Sequence, residues 1–292
     1  MPELIPEIHQ SISEHLANSA TEANIITDLM NKGYDRDNAE QLLELVKRLR
    51  NAALEQHALS KSISTSVIKP IKIEAEAIPT PIPGGFPTTI DCGDIIVNIV
   101  ARLNEPNTII FENVLTDEEC DKLIAMAVPK LSRSTVVQHG TGDSVIDPAR
   151  TSQGMYFYRG ENPLVEKIEQ RLSKLSNWPY ENGEGIQVLN YKPGEEYKPH
   201  YDFFDPNSDA TSRSLGTAGQ RVGTIVLYLN TPEEGGSTFF PDINLHVMPK
   251  KGSAVFFAYK RADSSSKTLH GGSPVIRGEK WIATKWMREN KY

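Results

Sequence analysis

The sequence predicts a mainly β protein, a β-sandwich of jelly-roll type with flanking helices, preceded by a small N-terminal helical domain. Three features predict it. Strand candidates follow one another almost without interruption after residue 185. Two amphipathic helices stand shortly before them, and a Pro/Ser-rich stretch separates this whole region from an N-terminal segment of helical period.

Residues 1–58 read as helices. Ile25, Ile26, Leu29 and Met30 form one apolar stripe, and Leu42, Leu43, Val46 and Leu49 form a second. Gly33 is the expected stop between them, with Asp35 or Asp37 capping the next helix. Residues 59–88 are rich in Ser and Pro and hold no sustained period, which predicts a linker or an extended arm lying on a neighbour. Residues 89–292 form the main domain. One helix opens at Thr116, with Glu119 in capping-box spacing, and carries Cys120, Leu123 and Ile124. Another opens at Asn162-Pro163 and carries Leu164, Val165, Ile168, Leu172 and Leu175 on one face. Strands are expected at 185–191, 200–204, 221–230, 236–240, 253–259 and 279–287. Pro193-Gly194, Glu234-Gly235-Gly236 and Lys251-Gly252 punctuate them.

Composition narrows the function classes. With 38% hydrophobic and 24% charged residues, the chain suits a globular protein with a sizeable core. No apolar run approaches the ~20 residues of a membrane span, and the opening MPELIPEIHQ lacks a secretory pattern. Cys92 and Cys120 are too few for a disulfide scaffold or a Cys-based zinc site, so a reducing, cytoplasmic compartment is expected. A formal charge of −7 argues against nucleic acid and favours neutral or basic polypeptide partners.

Four local features carry chemistry. In YKPHYDFF, His200 and Asp202 stand two residues apart, so on a strand both would address one point; an exposed surface strand is the plain alternative. His270, in TLHGGSPV, offers a third ligand from another strand, and two His with one carboxylate leave the open face expected of non-heme Fe(II) oxygenases. Lys280 would share a face with Ile282, Thr284 and Trp286 on strand 279–287. A cation in such a cavity needs an anion, such as the distal carboxylate of 2-oxoglutarate, unless it snorkels to water; Arg277 is the other possible anion partner. Tyr191 and Thr224 offer hydroxyl donors to the same carboxylate, or are core residues. His9, His15, His57, His139 and His246 sit in less suitable surroundings. No H-E-x-x-H, P-loop or G-x-S-x-G competes.

RTSQGMYF, ENGEGIQVLNYKPGEEYKPHYDFF, QRVGTIVLYLNTPEEGGSTFFP, PKKGSAVFF and LHGGSPVIRGEKWIATKW together resemble the catalytic domain of collagen-type prolyl 4-hydroxylases, over roughly residues 105–288. The resemblance implies a double-stranded β-helix (cupin-like) with iron on His200, Asp202 and His270. It also implies that Lys280, Tyr191 and Thr224 bind the distal carboxylate of 2-oxoglutarate. By the same carry-over Tyr197, Arg221 and Trp286 lie near the substrate peptide, and loops 136–149 and 205–219 close over it. Arg288 stands where many members carry a His.

The activity so implied is hydroxylation of peptidyl proline with Fe(II), 2-oxoglutarate and O2, giving succinate and CO2. Ascorbate would maintain the iron, in a bacterial-type cytoplasmic member. The alternatives are a hydroxylase of a free amino acid or of Lys/Arg side chains, and a non-catalytic cupin-like binding module. In the N-terminal region, Met30 followed by Gly33-Tyr34 is similar to a ubiquitin-associated-type module; a packing or self-associating appendage is the other reading.

Overall fold

The computed structural model describes residues 12, 21–47, 74–75, 77–82, 85–133, 136–137, 144–145, 151–208 and 211–292. The chain divides into two compact units, Met1–Pro70 and Ile71–Tyr292. In the smaller unit, helix Glu22–Asn31 opens at Thr21, whose side chain accepts from the Asn24 amide. The chain turns at Gly33, whose φ of +96° suits a residue without a Cβ. Asp35 Oδ1 then accepts from the Asn38 amide at 2.8 Å and caps helical residues 36–47. Ile12, Ile25, Leu29, Ala39, Leu42, Leu43 and Val46 are buried together. Met30, expected in the stripe, is 45% exposed because the buried face is centred on the i, i+4 pair Ile25 and Leu29. Leu49 lies outside the described residues.

In the larger unit the first strands are β1 (Thr89–Asp91), β2 (Ile96–Leu103), β3 (Asn107–Glu112), β4 (Ser132–Arg133), β5 (Val136–Val137), β6 (Ser144–Val145), β7 (Gln153–Phe157) and β8 (Gly183–Tyr191). Next come β9 (Tyr197–His200), β10 (Arg221–Tyr228), β11 (Glu234–Gly235), β12 (Thr238–Phe240) and β13 (Leu245–Val247). The last are β14 (Ala254–Ala258), β15 (His270–Gly272), β16 (Val275–Arg277) and β17 (Lys280–Arg288). A large antiparallel sheet runs β1-β2-β3-β14-β10-β17-β8-β7-β4, and a smaller one runs β13-β12-β15-β9. Leu189, Tyr191, Val226, Tyr228, Phe257 and Ile282 from the first meet Phe240 and Val247 from the second. Two antiparallel sheets face to face around that core make the expected jelly roll.

The central strands of the large sheet are buried on both faces. Along β10, Val226 and Tyr228 point between the sheets. Ile225 and Leu227 point the other way, into a core with Leu123, Ile168 and Leu172. Those last three sit on helices Asp117–Ala127 and Pro163–Ser176, where the sequence places them. The first helix has its full capping box: the Glu119 amide donates to Thr116 Oγ1 and the Thr116 amide to Glu119 Oε2. Asn162 caps the second, accepting from the Leu164 and Val165 amides.

Part of the expected linker joins this outer core. Residues 59–73 lie outside the described residues, but from Glu74 the chain lies along the large sheet. The Ala75 amide donates to Lys260 O at 2.7 Å, and Pro79, Pro81 and Ile82 are buried. A Cβ on Gly223 would stand 3.0 Å from Pro79 Cγ and 3.3 Å from Met287 Cε, so this strap packs directly on bare β10 backbone.

One expected strand is displaced along the chain. Instead of 200–204, β9 ends at His200 and residues 201–204 leave the sheet. The Phe204 amide donates to Gln220 Oε1 and Phe204 O accepts from Gln220 Nε2, both at 2.8 Å, so a side chain takes the bonds a neighbouring strand would otherwise make.

Candidate metal and cosubstrate site

His200 and Asp202 do not sit side by side on one strand. His200 closes β9 opposite His270 on β15, and Asp202 follows in the bend. The three side chains still converge. Asp202 Oδ1 lies 3.6 Å from His200 Nε2, and Oδ2 lies 3.6 Å from His270 Nε2. One ligand atom from each falls within 4.8 Å of the others. Neighbouring ligands of an octahedral ion with bonds of ~2.1 Å stand about 3 Å apart, so a small inward movement completes the face.

Each imidazole is oriented by backbone. His200 Nδ1 lies 2.9 Å from Lys198 O, and His270 Nδ1 lies 2.9 Å from Thr268 O. A proton on each Nδ1 leaves the Nε2 lone pair for a metal. Burial pushes the His270 pKa down to about 4, which keeps it neutral, as a ligand must be. Burial by itself would raise the Asp202 carboxyl, but His270, His200 and Arg221 outweigh it and hold the group below the usual carboxylate range.

Gly271 makes the convergence possible. A Cβ there would stand 2.8 Å from Tyr197 O and 2.9 Å from the Phe239 ring, so only glycine lets β15 fit between β9 and β12.

Beside the three ligands opens a cavity of about 430 Å³, measured with its mouth. Lys280, Ile282, Thr284 and Trp286 of β17 line it, as the alternation along the strand predicts, with Gln187, Leu189 and Tyr191 of β8 beside them. Lys280 is 2% exposed, and among the described residues its ammonium meets no carboxylate. Its Nζ lies 5.5 Å from the centroid of the Tyr191 ring. Burial pushes its pKa down to about 7. A desolvated cation of this kind is costly unless an anion is placed beside it. The alternative, Arg277, is exposed and paired with Glu233 at 2.7 Å, outside the cavity.

Thr224 is placed differently from its expected role. Its hydroxyl donates to Asp202 Oδ2 at 2.8 Å and lies 3.2 Å from the Tyr259 hydroxyl, so it braces a candidate metal ligand instead of facing Lys280. Besides Thr284, the threonine that lines the cavity with Lys280 and Tyr191 is Thr238 on β12. It went unnoticed in the sequence because a short strand carries no period long enough to show which side faces in.

On the open side, Tyr197 stacks on His200 with ring centroids 3.7 Å apart. Arg221 holds Glu184 through two bonds of 2.8 Å, donates to Asp202 O at 3.3 Å, and lays its guanidinium 3.9 Å from the Trp286 ring centroid. Trp286 Nε1 is a buried donor with no acceptor among the described residues. Of loop 136–149, only the β5–β6 pairing is described. Loop 205–219 contains a short helix, Thr211–Leu215. His246 is exposed, bonded to Ser237 at 3.0 Å, and His9, His15, His57 and His139 lie outside the described residues.

Residues 186–288 match the 2OG-Fe(II) oxygenase superfamily, a span that contains all three candidate ligands and Lys280. Prolyl 4-hydroxylase 5 of Arabidopsis thaliana is 40% identical over 209 residues, which cover 64% of this chain and 70% of the relative. Prolyl 4-hydroxylase 1 of the same plant is 42% identical over 201 residues, covering 63% and 69%. Among solved structures, the viral collagen prolyl hydroxylase from Paramecium bursaria Chlorella virus-1, in its 2OG complex, is 33% identical. That match has a TM-score of 0.49 and covers 62% of this chain and 95% of the other. The chain belongs to the prolyl 4-hydroxylase family of iron(II)- and 2-oxoglutarate-dependent dioxygenases.

Proposed function

We propose that this enzyme hydroxylates peptidyl proline at C4, using O2 and 2-oxoglutarate and releasing succinate and CO2. The observation that carries the reading is the aromatic and cationic rim of Tyr197, Arg221 and Trp286 beside the three metal ligands. The relatives named as prolyl 4-hydroxylases support it. His200, Asp202 and His270 would hold iron(II), which with 2-oxoglutarate supplies the oxidation of a C–H bond by O2. Lys280 neutralises the distal carboxylate of the cosubstrate, with Tyr191 and Thr238 beside it, while Leu189 and Ile282 keep the cavity apolar. Arg221 and Trp286 form one stacked surface on which an extended peptide rests. A proline-rich ligand in polyproline II form reaches that surface with little entropy left to lose.

Ascorbate fits this reading as the reductant that restores oxidised iron. A cytoplasmic location suits the two cysteines, both buried free thiols whose pKa burial raises to about 11. The helical N-terminal unit serves in this reading as a partner-binding or self-associating appendage.

Mass spectrometry of (Pro-Pro-Gly)-type and polyproline peptides, incubated with enzyme, Fe(II) and 2-oxoglutarate, tests the reading. One added oxygen per modified proline is the expected result. Oxygen appearing only on free amino acids, or on Lys or Arg, establishes the alternative hydroxylase instead. Absence of succinate with every substrate leaves the cupin-like binding module.

A further inference from the structure

Arg288 ends β17 and is 3% exposed, although it lies two residues from the Trp286 rim. Its guanidinium is engaged at all three nitrogens. Nε donates to Gly219 O at 3.0 Å, and NH2 donates to Ser214 O, Leu215 O and Gly219 O at 2.8, 2.9 and 2.6 Å. NH1 donates to Glu184 Oε1 at 3.1 Å. The three carbonyls close helix Thr211–Leu215 and the turn after it. A helix end of one turn has orphan acceptors and no packing length of its own, so a cation supplied from elsewhere must satisfy them.

The other hand of the guanidinium reaches the substrate side. Glu184, which Arg288 holds, is the carboxylate that grips Arg221 at both Nε and NH2. Arg221 in turn donates to Asp202 O and covers Trp286. One side chain therefore ties segment 211–219 to the pair that shapes the rim, without touching a metal ligand itself. Only a planar fork with five donors spans both sets of acceptors. An imidazole has two donors and a shorter reach. An ammonium has three, and nothing to hold them in a plane.

We propose that Arg288 is a positioning residue for the peptide. By fastening the helix 211–215 segment to Glu184 and Arg221, it fixes the shape of the peptide rim and so sets which peptide is accepted. This rests on the peptidyl-proline reading for its kinetic consequence, and on geometry alone for the fastening.

Arg288→His, Arg288→Gln and Arg288→Lys test both halves. Hydrogen exchange read by mass spectrometry needs no substrate. In the His and Gln variants the amides of 211–219 should exchange at least about tenfold faster. Those of β8 and β10 should keep their rates. In steady-state assays the KM for the peptide should rise about tenfold while the KM for 2-oxoglutarate moves less than about twofold. The Lys variant, which keeps the charge but not the fork, should fall between. Unchanged exchange in Arg288→Gln overturns the fastening. Faster exchange with an unchanged peptide KM overturns the role in acceptance. If the wild-type enzyme hydroxylates no peptide, the proline reading has failed and the exchange experiment alone still decides the fastening. A variant that exchanges everywhere at once shows Arg288 to be a general fold residue and overturns the proposal.

Discussion

At the scale of single residues, two threonines on adjacent pieces of the same jelly roll are set for different work, and substitution separates them. Thr224→Val removes the hydroxyl on Asp202 Oδ2. Outer-shell bonds of this kind are worth 10–100-fold in metal affinity. Titration with iron(II) or manganese(II) should therefore weaken by about tenfold or more, with the KM for 2-oxoglutarate at saturating metal little changed. Thr238→Val should do the reverse, since Thr238 lines the cavity that holds Lys280.

Lys280 also makes a pH prediction whose sign is fixed. Burial lowers its pKa from 10.5 to about 7, so between those values the unfolded chain holds a proton that the ligand-free fold does not. Ligand-free stability therefore rises with pH across that window, and the penalty for burying the cation is present in full below about 7. A carboxylate placed beside the amine returns the proton, so 2-oxoglutarate binding near pH 8.5 should take up a proton and weaken as pH rises. Calorimetry in two buffers of different ionisation enthalpy, on protein loaded with a redox-inert metal, reads this directly. A Lys280→Met variant with the same proton uptake would remove the assignment. Alternation along β17 made Lys280 visible, whereas His200, Asp202 and His270 were visible from residue type and spacing, since Asp202 lies in the bend after β9 and His270 on β15. The sequence hid Glu184, whose partners Arg221 and Arg288 lie on strands 37 and 104 residues away, so nothing local marks it.

At the scale of elements, the strands easiest to read were those that the two cores enclose. β10 and β17 are buried nearly throughout because they lie in the middle of the large sheet, and both lie close to their expected limits. The 200–204 strand was misread because alternation cannot reveal that Gln220, far along the chain, takes the backbone bonds of Phe204. The strap was equally hard to read. Its Pro and Ser content signals exposed chain, yet Pro79, Pro81 and Ile82 are buried on the outer core. Proline suits that position, since a segment lying on a sheet face needs few amide donors. Removing the strap deletes these three side chains and uncovers the β10 surface beneath them, a loss of about 5–9 kcal/mol at ~1.5–3 kcal/mol for each buried apolar group. That is a large part of a typical domain's ~5–15 kcal/mol. A chain beginning at Gly85 should melt well below one beginning at Ile71, by differential scanning calorimetry. Equal melting temperatures would mean that the strap packs without stabilising.

At the scale of the whole molecule, the two units have separate cores, and every candidate ligand and cavity residue among those described belongs to Ile71–Tyr292. A chain of residues 71–292 should therefore decarboxylate 2-oxoglutarate at a rate within about twofold of the full protein, measured as succinate release. A loss of about tenfold or more would give the N-terminal unit a part in catalysis. The strap has a further meaning for ancestry. Gene fusion that joins a different upstream module at Pro70 carries the strap along with the oxygenase. A splice at the change of composition near residue 88 leaves it behind and bares the back of the sheet that supports Thr224 and, through it, Asp202. The folding unit is therefore longer than the recognisable catalytic motif.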